Sequence, residues 1–260
     1  MIEQPKKVGL VLSGGGIRGM AHIGLIKAMQ ERNLKVDMVA GSSIGALIGA
    51  LYANGTSTDE MLQFFKETPL FKYSFFAFGK PGFIDTERYV AIFEKHFPID
   101  SFSALKKPLY VVATDMQHGV ERVFSDGELI RPLLASAALS PVFSPVLIDD
   151  TLYADGGIMN NFPKEHLEKD CDFIIGSNVS IAGKLKKKDL RNSIQLASRI
   201  TGLMVYASSH EKLQQCDLKI EPLALEGIGV LDKKGIEKAF SIGYDHASRI
   251  LDTNYHFHTK

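Results

Sequence analysis

Three short stretches of the 260-residue sequence hold residue types able to carry acyl-transfer chemistry: SGGGIRG at 13–19, GSSIG at 41–45 and the ADGG that contains Asp155. In the pattern G-x-S-x-G, glycines on either side of a serine permit a tight turn and leave room for a substrate carbonyl, so Ser43 has the form of a nucleophile. Ser42, beside it, reads as turn filler. Consecutive glycines at Gly14, Gly15 and Gly16 leave backbone N–H groups unobstructed, and a helix start adds partial positive charge. Such a loop stabilises an anion, whether a phosphate or the oxyanion of a transition state.

Gly14, Gly16 and Gly19 also satisfy G-x-G-x-x-G, the dinucleotide fingerprint. That fingerprint needs an acidic residue at the carboxyl end of the second strand. Asp37 has nearly the spacing but falls at the start of that strand, and its end carries the Ser43 motif. The nucleotide reading is therefore the weaker one.

A serine nucleophile needs a base. His166, His210 and His246 all follow Ser43, so a serine–acid–histidine order is available, although each falls in a helical stretch where a packed or surface histidine is the ordinary state. The competing base is Asp155, where an apolar β-like run stops at a carboxylate followed by two glycines. Asp-Gly is also a common turn pair, and the residues alone leave both options open. His22 and His96 read as structural, His118 as turn surface, and His256 and His258 are too isolated for a metal site.

The elements that must position these groups alternate between short β-branched runs and helical patterns, the signature of a largely parallel sheet with helices on both faces. Strands are expected at 8–12, 36–40, 109–115, 120–125, 146–149, 151–155, 172–180 and 217–222. Helices are expected at 17–31, 44–52, 59–67 capped by Thr58, from Thr86 to 97, and at 129–138, 163–168, 193–210 and 233–251. The glycine loop thus joins the first strand to the first helix, and Ser43 joins the second strand to the second helix. Residues 38–53 are the best decoy for a membrane span. They are too short for one and divide into a strand and a helix.

Composition fits this picture. Apolar residues make up 45% and charged residues 23%, as in ordinary globular chains. Thirty basic residues balance thirty acidic ones, which gives no global field for nucleic acid. Two cysteines, Cys171 and Cys216, are too few for a disulfide framework. The amino terminus lacks a secretory leader pattern, so a cytoplasmic protein is expected. No repeat or linker marks a boundary, and residues 1–260 are expected to form a single domain, with the motifs in 7–180 and a carboxyl-terminal strand and helices in 190–252.

The three motifs, in this order, resemble the patatin-like phospholipase family in its bacterial, single-domain form. The likeness extends to RGMAHIGLIKAMQERNLKVDMVAGSSIGALIGALYANG and to the block from VVATD through ADGGIMNNFP. It implies a patatin-like three-layer α/β/α sandwich with a largely parallel central sheet. It also implies a serine–aspartate dyad without histidine, in which Ser43 matches the nucleophile and Asp155 the base. Gly14, Gly15, Gly16 and Arg18 match the oxyanion loop, joined by the N–H of Ile44. No cofactor is implied. The expected activity is a phospholipase A, lysophospholipase or carboxylesterase type of lipid acylhydrolase, acting on phospholipid or another fatty acyl ester and touching a membrane surface peripherally. An acyltransferase with the same dyad, or a non-catalytic regulator that keeps the fold, are the alternatives, and a homodimer is compatible with the sequence.

Two stretches are left without a role. LFKYSFFAFGKPGF at 70–83 reads as core ahead of an acyl groove, flap or interface. KLKKKDLR at 184–191 reads as a solvated loop ahead of a contact with anionic lipid.

Overall fold

The computed structural model describes residues 7–69, 73–187 and 190–254. Its centre is a mixed sheet whose parallel part is ordered β3 (Leu109–Asp115), β2 (Met38–Ser42), β1 (Val8–Leu12), β7 (Phe173–Ser177) and β8 (Leu218–Ile220). Three antiparallel strands extend it at the β3 side: β4 (Val120–Phe124), β5 (Val146–Ile148) and β6 (Thr151–Asp155).

The central strands read as unbroken apolar runs because both faces are covered. In β1 all five residues are buried. Alternate side chains serve different layers: Leu10 and Leu12 join the larger core, while Val11 joins a smaller one with Ala40, Phe162, Leu167, Ile174 and Leu213. The larger core is closed by α1 (Met20–Glu31), α2 (Ile44–Asn54), α3 (Thr58–Glu67), α5 (Ile130–Ser136) and α7 (Ile236–Asn254), with the single-turn α4 (Val90–Phe93) at its rim. The opposite layer is thin. It consists of the 162–171 segment and the last turn of α6 (Ser193–Leu213).

Several expected boundaries move. Strand β2 runs two residues later than expected, because Gly41 and Ser42 stay extended opposite Val111 and Val112 of β3. Ser42 is therefore the buried last residue of a strand and not turn filler. The 59–67 helix is capped by Ser57, whose hydroxyl accepts from the Glu60 N–H in a reciprocal capping box, and Thr58 is already helical. The helix expected from Thr86 is a short 3₁₀ turn capped by Asp85 followed by α4, and that expected at 163–168 is a single 3₁₀ turn.

The 70–83 stretch is not core in its described part. Phe75 packs edge-on against Tyr89 at 4.9 Å, but Phe76, Phe78 and Phe83 are exposed. The chain there bridges from Phe76 to Ile84 and from Ile84 to Phe143, a surface arm held by backbone bonds. Residues 70–72 of that stretch and 188–189 of the basic run lie outside the described residues.

Candidate active site

Ser43 stands between β2 and α2 at φ 53° and ψ −127°, backbone values that cost a non-glycine residue about 1–3 kcal/mol. The surroundings enforce them. The Ser43 N–H donates to Ser136 Oγ at 2.9 Å, and that hydroxyl donates to the Val112 carbonyl at 2.5 Å. Helix α2 leaves so close to the sheet that a side chain at Gly45 would run into the Leu12 carbonyl, and one at Gly41 would lie 2.6 Å from the Gly45 carbonyl. The two motif glycines are thus required by close approach.

Asp155 arrives by a different route. Strand β3 has β4 along one edge from Val111 to Asp115, so β2 and β6 share the other: Ser42 opposes Val112 and Asp155 opposes the next residue, Ala113. Strand β6 begins its pairing where β2 stops. The Asp155 carboxylate consequently meets Ser43, whose Oγ donates to Asp155 Oδ2 at 2.6 Å. The other oxygen, Oδ1, accepts from the Gly157 N–H at 2.8 Å. Asp155 is buried, and that burial pushes its carboxyl up from 3.8 to about 6, against the lowering by the Ser43 and Gly157 hydrogen bonds. A carboxylate with that value is ionised at neutral pH and is a better proton acceptor than an ordinary aspartate.

The glycine loop faces Ser43: a β-carbon on Gly14 would lie 3.1 Å from Ser43 Cβ. Gly16 needs its φ of 58°, and a side chain there would strike the Val230 carbonyl. The five candidate loop residues divide by what their donors already do. The Gly14 N–H is taken by the Asn161 carbonyl at 3.2 Å. The N–H groups of Gly15, Gly16 and Ile44 have no acceptor among the described residues, and Gly15, Gly16 and Ser43 are partly open to solvent. Arg18 has no hydrogen bond to Ser43 or Asp155 among the described residues. Its guanidinium donates to the carbonyls of Ile228 at 2.7 Å, Ile181 at 2.8 Å and Glu226 at 3.3 Å, tying the carboxyl-terminal loops to the first helical turn.

No histidine bonds to Ser43 or Asp155 among the described residues. His210 is engaged with Glu221 at 3.0 Å, His118 with Asp115 at 2.8 Å, and His166 lies 3.5 Å from Glu121. His22 is fully buried between Ser177 Oγ and the Ser13 carbonyl, and burial holds it down to about 4, so it stays neutral. Glu121, Glu165 and His166 come close enough together to chelate a cation, but Lys212 Nζ already donates to Glu165 at 2.9 Å and Asn160 Nδ2 to Glu121 at 2.7 Å.

Two supporting groups were not anticipated. Ser136 carries no motif, and only tertiary structure brings it to the Ser43 amide. Asn161 holds the loop: its carbonyl receives Gly14 and its Nδ2 donates to Ser180 Oγ at 3.0 Å and Ser209 Oγ at 2.9 Å, while Ser180 Oγ donates to the Gly14 carbonyl at 2.7 Å. The available signal was the polar Asn160-Asn161 pair inside an otherwise apolar stretch, four residues past the Asp155 turn.

The patatin-like phospholipase family model matches residues 10–167, a span that includes the glycine loop, Ser43 and Asp155. The chain belongs to the patatin-like phospholipase family. Relatives of this patatin-like chain include neuropathy target esterase sws of Drosophila melanogaster, 33% identical over 61% of the chain. Human patatin-like phospholipase domain-containing protein 6 is 35% identical over 61%. The matched region spans only 12% of each of those much longer relatives. Among solved structures, VipD from Legionella pneumophila superposes with a TM-score of 0.62 over 96% of the chain and 67% of its own length, at 16% identity, which is a likeness of fold. No helix among the described residues is long and apolar enough to cross a membrane.

Proposed function

We propose that the chain is a serine acylhydrolase that cleaves fatty acyl esters of lipids through Ser43 and Asp155. Asp155 takes the hydroxyl proton as Ser43 Oγ attacks the ester carbonyl, and the alcohol leaves with a proton as the acyl-enzyme forms. Water then gives a proton to the same carboxylate as it attacks the acyl-enzyme, and Asp155 returns that proton to Ser43 Oγ as the fatty acid leaves. The N–H groups of Gly15, Gly16 and Ile44 hold the oxyanion in both steps, each such donor typically lowering the barrier by about 3 kcal/mol. Gly14 and Arg18 hold the loop in shape.

The observation that carries this reading is the 2.6 Å hydrogen bond from Ser43 to a buried carboxylate, next to amides that have no acceptor among the described residues. Family membership supports the lipid ester as the substrate class. The test is mass-spectrometric product analysis with phospholipid in water, with and without added alcohol. Free fatty acid from the wild-type chain and none from Ser43→Ala is the expected result. Acyl transfer to the alcohol in preference to water would make the protein a transferase, and equal release by Ser43→Ala would overturn the assignment.

A further inference from the structure

Helix α6 is built the wrong way round for a helix that only packs on its own protein. Its last turn is anchored, with Leu213 in the core and Ser209 accepting from Asn161 Nδ2 at 2.9 Å. The preceding turns carry an apolar stripe that the described residues leave largely open: Leu196 and Ile200 are each 50% exposed, Leu203 42% and Met204 70%. At about 100° per residue, Leu196, Ile200, Leu203 and Ala207 fall within roughly 60° of one another. Ser209 and Leu213, which face the body, lie on the other side of the helix. The stripe therefore points away from the protein.

Charge is distributed to match. Between positions 184 and 208 the sequence has six lysines and arginines against one aspartate, in a chain whose total charge is zero. The described basic residues Lys184, Lys186, Lys187 and Arg191 lie immediately before α6, and Arg199 donates to the Gly183 carbonyl at 2.7 Å, holding the start of the run against the helix. The run is tied towards the glycine loop, since Ile181, two residues before Gly183, accepts from Arg18 at 2.8 Å, and the candidate site has exposed apolar side chains of its own. Ile158 and Met159, in the turn after Asp155, and Val230, whose carbonyl receives the Ile17 N–H beside the glycine loop, are all exposed.

We infer that the amino-terminal part of α6 and the exposed cations Lys184, Lys187 and Arg191 before it form a docking surface for an anionic lipid bilayer. The inference rests on the proposed function only for why a bilayer would be the partner. A stripe of large apolar side chains flanked by cations is what an interfacial helix needs, since burial of the stripe and attraction to anionic headgroups add. A second copy of the chain fits less well, because pairing on this face would bring two sets of like charges together. Anchoring beside Asn161 connects the docked helix to the loop that faces Ser43.

The experiment is co-sedimentation with vesicles of phosphatidylcholine alone and of an equimolar mixture with phosphatidylglycerol, at low and high salt. The variants are Leu196→Ser/Ile200→Ser/Met204→Ser and Lys184→Gln/Lys187→Gln/Arg191→Gln. Wild type should bind the mixed vesicles in preference, less so at high salt, and each variant should bind at least about tenfold more weakly. Both variants change exposed positions and should keep the wild-type melting temperature and turnover of a short p-nitrophenyl ester. Equal binding by wild type and variants, or none by wild type, would overturn the inference. So would a wild-type dimer in analytical ultracentrifugation that the apolar variant dissociates without any vesicle binding. Because sedimentation needs no turnover, vesicle binding by a wild type that fails to hydrolyse esters would fault the active-site reading and leave the docking surface standing.

Discussion

Ser42 and Asp155 occupy consecutive register positions on one edge of β3, opposite Val112 and Ala113. One strand runs parallel to β3 and ends there, and another runs antiparallel and ends there, so their termini meet. The residue after the first terminus is Ser43, and the last residue of the second is Asp155. Backbone pairing thus aligns the proposed nucleophile and base, and the Ser136 hydroxyl holds the direction of the Ser43 amide.

The raised pKa of Asp155 has a consequence for stability. The buried carboxyl keeps its proton up to about pH 6, whereas an ordinary aspartate ionises near 3.8, so the ionised form costs the folded state roughly 3 kcal/mol at neutral pH and nothing at pH values below both. Asparagine cannot ionise. Asp155→Asn should therefore melt higher than wild type at pH 7.5, with the difference shrinking towards pH 4, while ester turnover falls a hundredfold or more. Scanning calorimetry across that range checks the first part. A melting difference that stays constant with pH would contradict the burial argument.

Ser136 and Ser42 make opposite predictions from the same neighbourhood. Ser136→Ala strips the Ser43 N–H of its acceptor and the buried Val112 carbonyl of a donor, a loss of roughly 1–3 kcal/mol, and should slow turnover as Ser43 loses its position. Ser42 Oγ is buried with no partner among the described residues. Ser42→Ala breaks no hydrogen bond and should leave stability within about 1 kcal/mol and turnover near wild type. Denaturant melts and p-nitrophenyl ester kinetics on both variants would reverse the argument if the two changes ranked the other way.

Histidine should be dispensable. His166→Ala, His210→Ala and His246→Ala are each expected to keep hydrolysis within about tenfold, since loss of a true general base is worth about 10²–10⁴. A folded variant that collapses in a pH-stat assay would reinstate a triad.

The parts of the site visible in the sequence are those that local chemistry dictates. Glycines around Ser43 and in the 14–16 loop are demanded by close approach and positive φ, and a buried aspartate before two glycines marks a strand end. What remained hidden depends on contacts remote in sequence. Nothing local marks Ser136, which acts across 93 positions. Arg18 is in the loop motif, yet its role is set by the carbonyls of Ile181, Glu226 and Ile228, far along the chain. The exposed Phe78 belongs to an apolar stretch that reads as core, because an apolar pattern shows that side chains could be buried but not which way they point.

The dyad is tested most directly by the rate at which a fluorophosphonate modifies the chain, with the adduct located by mass spectrometry. The account predicts a single adduct on Ser43 in the wild-type protein, formed faster as pH rises through about 6, where the Asp155 carboxyl loses its proton, and formed at least about a hundredfold more slowly in folded Asp155→Asn. An adduct on any other residue, or an Asp155→Asn protein labelled at the wild-type rate, would contradict it.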